Sequence, residues 1–174
     1  MTRPFSAVPQ HVIDDLIDHA MRAPEGCFVE VGVYQGGTAW HLAQVARLKG
    51  VQLFLYDTFA GIPYRDEIDS HKPGDFNDTS AEYVRSQIPD AEVVEGIFPD
   101  SAIQMPPVAF VHIDCDQYRA IKESVAALTP LMAPGGIMVF DDYGCLDGAN
   151  QAVHECFQAD RIDTTRYGKA LVRF

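Results

Sequence analysis

The chain has 174 residues, 47% of them hydrophobic and 22% charged, which suits one domain with one core and excludes the composition of a disordered chain. Its formal net charge of −12, with 13 scattered Lys and Arg against 25 Asp and Glu, argues against a nucleic-acid partner, because neutralising phosphates takes clustered cations. No window approaches the roughly 18 apolar residues of a membrane span, and MTRPFSAVPQ at the start lacks an apolar core of signal-peptide length, so a cytoplasmic address is expected.

Apolar positions at Val12, Leu16, Ile17, Ala20 and Met21 predict a helix over residues 9–22, closed by Pro24 and Gly26. CFVEVGV at 27–33 is too short and too β-branched for a helix and reads as the first strand. A helix from Thr38 to Lys49 stops at Gly50, and VQLFLYD at 51–57 is a second strand. Residues 60–78 form a long loop with Gly61, Pro63, Pro73 and Gly74, and a loop of that length ordinarily has a role, here at an active site. A helix near 79–88, a strand at 91–96, a turn after Pro99 and a strand at 108–114 follow. The pattern then predicts a helix from about 117 to 132 stopped by Pro134-Gly135-Gly136, a strand at 136–141, and a helix near 148–158. RIDTTRYGKALVRF is expected to close the chain as a hairpin turning at Tyr167-Gly168.

Strands alternating with helices imply an α/β fold: a single doubly wound Rossmann-like sheet over residues 1–174, mostly parallel, with a C-terminal antiparallel hairpin. In such sheets ligands bind beyond the carboxyl ends of the strands. The four cysteines, Cys27, Cys115, Cys145 and Cys156, lack metal-ligand spacing and are expected to be reduced packing residues.

At the end of the first strand EVGVYQGGT, residues 30–38, places Gly32, Gly36 and Gly37 before a helix N-terminus, where a backbone can approach a ligand closely. The spacing fits a GxGxxG dinucleotide fingerprint poorly. Its E-x-G-x-x-x-G form resembles the first motif of class I S-adenosylmethionine (SAM) methyltransferases; the bland alternative is a structural turn. Asp57, ending the second strand before Thr58, sits where a carboxylate accepts both hydroxyls of a ribose, though it also suits a turn and would serve NAD equally. Gly96, Ile97 and Phe98 stand where such folds open an adenine pocket.

Two apolar runs end in acids: FVHIDCDQY in Asp114 and Asp116, GGIMVFDDYG in Asp141 and Asp142. Burying unpaired carboxylates costs several kcal/mol, so four of them at one sheet edge ask for a counter-charge. An all-oxygen set suits Mg²⁺ or Mn²⁺ better than Zn²⁺. Strand alternation would point Asp114 and Asp116 the same way, one to ligate and one to meet the substrate. Capping by Asp116 and an Asx turn at Asp142 are the structural alternatives. His112 and His71 are the histidines placed to assist proton transfer, with a packed strand residue the competing reading for His112. Tyr118 and Tyr143 flank the acids.

Taken in order, FVEVGVYQGGT, LYDTFAGIP, GDF, HIDCDQY, LTPLMAPGGIMVFDDYG and QAVHECF resemble the macrocin/mycinamicin-type (TylF-like) sugar O-methyltransferases, a metal-dependent branch of the class I SAM methyltransferases. The resemblance covers nearly all of residues 27–157. It implies metal ligands at Asp114, Asp141 and Asp142, Asp116 as general base, and SAM held by Glu30, Gly32, Tyr34, Gly36, Thr38, Asp57 and Thr58 beside Asp114. The chain departs from the family in the short stretch before its first strand and in GANQAV, where a basic residue is usual. The implied reaction is SAM- and Mg²⁺-dependent methyl transfer to a hydroxyl of a sugar-containing or polyol small molecule, with the cation stabilising a developing alkoxide. A catechol-type O-methyltransferase, whose second acidic pair is usually Asp-Asn, and a non-catalytic SAM-binding module are the alternatives. The expected partner is a small-molecule acceptor, with no nucleic acid and no membrane; a homo-oligomer is left open.

Overall fold

In the computed structural model, residues 3–174 are described; residues 1 and 2 of the expected domain lie outside the described residues. Seven strands form one sheet: β1 (Cys27–Val31), β2 (Leu53–Asp57), β3 (Glu92–Glu95), β4 (Val108–Ile113), β5 (Met132–Phe140), β6 (Asp163–Thr164) and β7 (Ala170–Arg173), in the order β3-β2-β1-β4-β5-β7-β6. The first five run parallel, and β7 lies antiparallel between β5 and β6. The mostly parallel sheet and its closing hairpin are as the alternation of elements requires.

The central strands are buried on both faces, so the period of 2 splits their side chains between two cores. Phe28, Leu55, Phe110 and Ile137 pack under α1 (Gln10–Arg22), α2 (Gly37–Lys49) and α3 (Ala81–Gln87) through Leu16, Leu42 and Val84. Their neighbours Val29, Tyr56, Val111 and Met138 face α4 (Tyr118–Leu128) and α5 (Asp147–Cys156) through Ile121, Val125 and Val153. Full burial of each such side chain contributes about 1.5–3 kcal/mol.

The region before β5 differs from expectation. Helix α4 ends at Leu128, a 3-10 turn covers Thr129–Leu131, and β5 begins at Met132 and runs through Pro134-Gly135-Gly136. Pro130 brings no N–H to a continuing helix, which favours the earlier stop. The glycines do not end a helix; they form an irregularity within the strand, where pairing jumps from Val108↔Met132 to Phe110↔Ile137. Gly135 takes a left-handed φ of 80° and donates its N–H to Phe174 O at 2.7 Å, tying this bulge to the C-terminus.

Among the described residues all four cysteines are free thiols, and no helix is long and apolar enough to cross a membrane.

Candidate active site

A cleft open to solvent lies beyond the carboxyl ends of β1, β2 and β4. One side is formed by Gly32, Tyr34, Asp57 and Thr58, the end by Gly96, Ile97 and Phe98, and the floor by Asp114 and Asp116. The long segment after β2 supplies the outer wall through Gly61, Ile62, Pro63, Tyr64 and Phe76.

Gly32 follows β1 with φ 89°, and a Cβ there would lie 1.9 Å from Asp114 O. Only glycine lets the two strand ends pass this closely. Asp57 shapes the same loop: one carboxylate oxygen accepts the N–H of Val33 at 2.7 Å and of Tyr34 at 2.8 Å, the other that of Phe59 at 2.8 Å. These bonds help hold Tyr34 and Phe59 at left-handed φ values of 50° and 51°. With three of about four acceptor positions taken, Asp57 anchors the loop and keeps room for about one further hydroxyl, not two.

Several expected site residues lie outside the cleft wall. Gly36 caps α2 at φ 85° and faces Val84 and Ile88 of the α3 region, while Thr38 is buried with its hydroxyl 3.3 Å from that of Ser6. Glu30 and His112 are 1% and 0% exposed, so neither side chain reaches the cleft. They point to the same face of adjacent strands, and His112 Nδ1 lies 2.8 Å from Glu30 Oε1. His112 Nε2 is turned toward Asp141, 3.9 Å from Oδ1.

The acids converge. Asp114 N–H donates to Val31 O at 2.8 Å and Asp141 N–H to Ile113 O at 3.0 Å, extending the strand ladders by one residue. Asp114, Asp141 and Asp142 each offer an oxygen, all within 4.8 Å of one another. Asp116 comes in by a different route from the one the strand pleat suggested. β4 ends at Ile113, Asp116 is left-handed at φ 61°, and its N–H donates to Asp142 Oδ2 at 3.0 Å. A turn, not alternation, sets its direction. Its Oδ1 faces His71 Nε2 at 3.5 Å.

Electrostatics follow from this crowding. Burial, then the neighbouring carboxylates, pushes Asp116 up to about 8 and Asp142 up to about 6, and raises Asp114 well above the usual carboxylate range. Asp141 goes the other way. Burial opposes its charge, but His112 and Lys169 outweigh it and hold Asp141 below the ordinary value. Burial likewise opposes a charge on His112, and Asp141 and Glu30 overcome it and raise its pKa, while burial pushes the Glu30 carboxyl up as well.

Lys169 escaped the sequence reading; its Nζ lies 3.7 Å from Asp141 Oδ2. The signal was in the hairpin: Ala170 pairs with Phe140, so the next residue outward on each strand brings Lys169 beside Asp141. Asp69, buried in the long loop, was also missed.

An oxygen-only trio of mutually repelling carboxylates at the floor of a cleft fits a hard divalent cation, Mg²⁺ or Mn²⁺. The glycine turn, the remaining acceptor position on Asp57 and the apolar end at Ile97 and Phe98 fit a nucleoside with a charged tail.

The chain is 27% identical over 151 residues to the 8-demethyl-8-(2,3-dimethoxy-alpha-L-rhamnosyl)-tetracenomycin-C 4'-O-methyltransferase of Streptomyces olivaceus, covering 75% of this chain and 57% of that protein. It is 24% identical over 170 residues to the mycinamicin III 3''-O-methyltransferase of Micromonospora griseorubida, covering 84% of this chain and 65% of the relative. The chain thus spans less than two thirds of either relative's length. The O-methyltransferase NovP superposes with a TM-score of 0.80 at 21% identity, covering 93% of this chain and 78% of NovP, which shows a shared fold. Residues 10–166, nearly the whole fold including the glycine loop and all four acids, match the macrocin-O-methyltransferase (TylF) family, and the chain belongs to it.

Proposed function

We propose that this chain is a SAM-dependent O-methyltransferase that methylates a hydroxyl of a sugar-bearing or other polyol small molecule, with Mg²⁺ or Mn²⁺ held by Asp114, Asp141 and Asp142. The carrying observation is the position of Asp116: it lines the same cleft as Asp57, Gly96 and Phe98 and donates its backbone N–H to Asp142 of the three-acid cluster. Both curated relatives are named for methylating an oxygen of a natural product, one of them on a rhamnosyl compound.

SAM supplies an electrophilic methyl group, and a divalent cation supplies positive charge against the negative charge that grows on a hydroxyl losing its proton. The chain's residues do the rest. Asp57 and Gly32 shape the turn that would hold the cofactor, and Gly96 and Ile97 would line the place of its base. Asp116 accepts the acceptor's proton at its carboxylate, which the positive charge of a bound cation would help keep ionised. His112, held from behind by Glu30, together with Lys169 keeps Asp141 aligned and favours its ionised form. Gly61, Ile62, Pro63, Tyr64 and Phe76 wall the outer side of the cleft with a largely apolar surface. The test is transfer of a labelled methyl group from SAM to a panel of glycosylated acceptors, with and without a chelator. Transfer that needs the divalent cation supports the assignment; cation-independent transfer removes the metal from it.

A further inference from the structure

Asp69 is 3% exposed and lies in the segment between β2 and α3, residues 58–80, far from the reacting end of the cleft in sequence. A buried aspartate survives only with partners, and this one is well supplied. Its Oδ1 accepts the N–H of Tyr118 at 2.8 Å and its Oδ2 the N–H of Asp66 at 2.9 Å. Gln117, with its amide nitrogen turned to the carboxylate, donates as well. The backbone of Asp69 is engaged too, because Arg65 Nε donates to its carbonyl at 2.9 Å.

These partners tie three elements together. Helix α4 begins at Tyr118 with Gln117 as a cap residue that makes no capping bond of its own. Asp69 supplies that cap from 49 residues away. Helix α5 also starts here: a Cβ on Gly148 would lie 2.6 Å from Asp69 Oδ1. α4 follows the Asp114–Asp116 turn and α5 follows Asp141 and Asp142, so one carboxylate braces the loop against both acid-bearing corners. Arg119 adds a second clasp, stacking 3.7 Å over the Tyr64 ring with its Nε 3.8 Å from Asp66.

We propose that Asp69 is a positioning residue: it latches the 58–80 segment onto the N-termini of α4 and α5, closing the outer wall of the cleft and fixing the turn that aims Asp116. Its importance for methyl transfer rests on the function proposed above; the latch itself does not. Asp69 touches neither cofactor nor acceptor. It acts through Tyr118 N–H on the residues just before it and through Arg65 and Asp66 on the wall.

The experiment uses the intact chain and trypsin, because the latched segment contains the cleavable Arg65, whereas Lys72 is shielded from trypsin by the Pro73 that follows it. Cleavage after Arg65 is followed by mass spectrometry in the wild type and in Asp69→Ala, Asp69→Asn and Gly148→Ala. Removing the cap should speed cleavage there about tenfold, since proteolysis tracks the open population. Asp69→Asn keeps an acceptor for Tyr118 N–H but turns a donor toward Asp66 N–H, so it should recover part of the protection. Gly148→Ala favours the helix in itself yet pushes a methyl group onto Asp69, so it should also open the loop; it decides the matter if Asp69→Ala unfolds the whole chain. In parallel, S-adenosylhomocysteine affinity should fall in Asp69→Ala and Gly148→Ala and return in part in Asp69→Asn. Wild-type cleavage rates in both Asp69→Ala and Gly148→Ala overturn the latch. A wild type that binds no S-adenosylhomocysteine overturns the assignment of the cleft, while the cleavage rates still decide the latch.

Discussion

Glu30 and His112 are register partners on adjacent parallel strands, and their side chains meet at 2.8 Å with essentially no exposed surface on either. Removing one partner of a buried ion pair leaves an uncompensated charge and costs about 3–5 kcal/mol, whereas replacing both by apolar residues is often neutral. His112→Leu should therefore lower stability by that amount, and Glu30→Met with His112→Leu should regain most of it. Denaturant unfolding of the two variants checks this. A double variant no more stable than the single one contradicts the pairing.

The acid cluster makes stability depend on pH when divalent cations are chelated. Asp142 at about 6, Asp116 at about 8 and the raised Asp114 all hold protons in the folded chain that an unfolded carboxyl has already lost. Their stabilisation is complete below the unfolded value and is lost as pH rises through the folded ones, a window from about 4 to about 8. The raised His112 acts in the same direction. Thermal melts in chelator should thus fall from pH 5 to pH 8.5. A melting temperature that rises across this range contradicts the clustering.

Mg²⁺ should reverse that loss. A ligand present at a hundred times its Kd stabilises by about 2.7 kcal/mol, or roughly 5–10 °C for a chain of this size. Asp141→Ala should remove most of the gain, and Asp114→Asn should weaken the cation's affinity in calorimetry. An undiminished gain in Asp141→Ala takes that residue out of the site.

Asp116→Asn separates proton transfer from binding. Cofactor affinity and most cation affinity should persist, while turnover on a working acceptor drops by about 10²–10⁴-fold, the scale of losing a positioned base. Near-normal turnover would pass the role to another group, with His71, 3.5 Å away, first in line.

The mostly parallel sheet and the gathering of the strand-end acids at one edge of it were legible because both-sided burial writes continuous apolar runs, and acids at their ends meet at one edge of a parallel sheet. Less local features were not. The turn that redirects Asp116 depends on a hydrogen bond to Asp142 from another strand. The Pro134-Gly135-Gly136 bulge carries the same residues as a helix stop, and only its pairing to Val108 and Phe174 tells them apart. Asp69 and Lys169 look like ordinary loop and hairpin residues until the chain folds back on itself. Glu30 and His112 carried a signal that was read differently: matched polar positions in two apolar strands mark a pair facing each other inside the sheet, not a ligand contact.

Calorimetry with S-adenosylhomocysteine and with NAD decides whether the cleft takes SAM beside Asp116 and the acid cluster. S-adenosylhomocysteine should bind clearly and more weakly to Asp57→Ala, and NAD should show no comparable binding. Binding of NAD without binding of S-adenosylhomocysteine would contradict the SAM assignment.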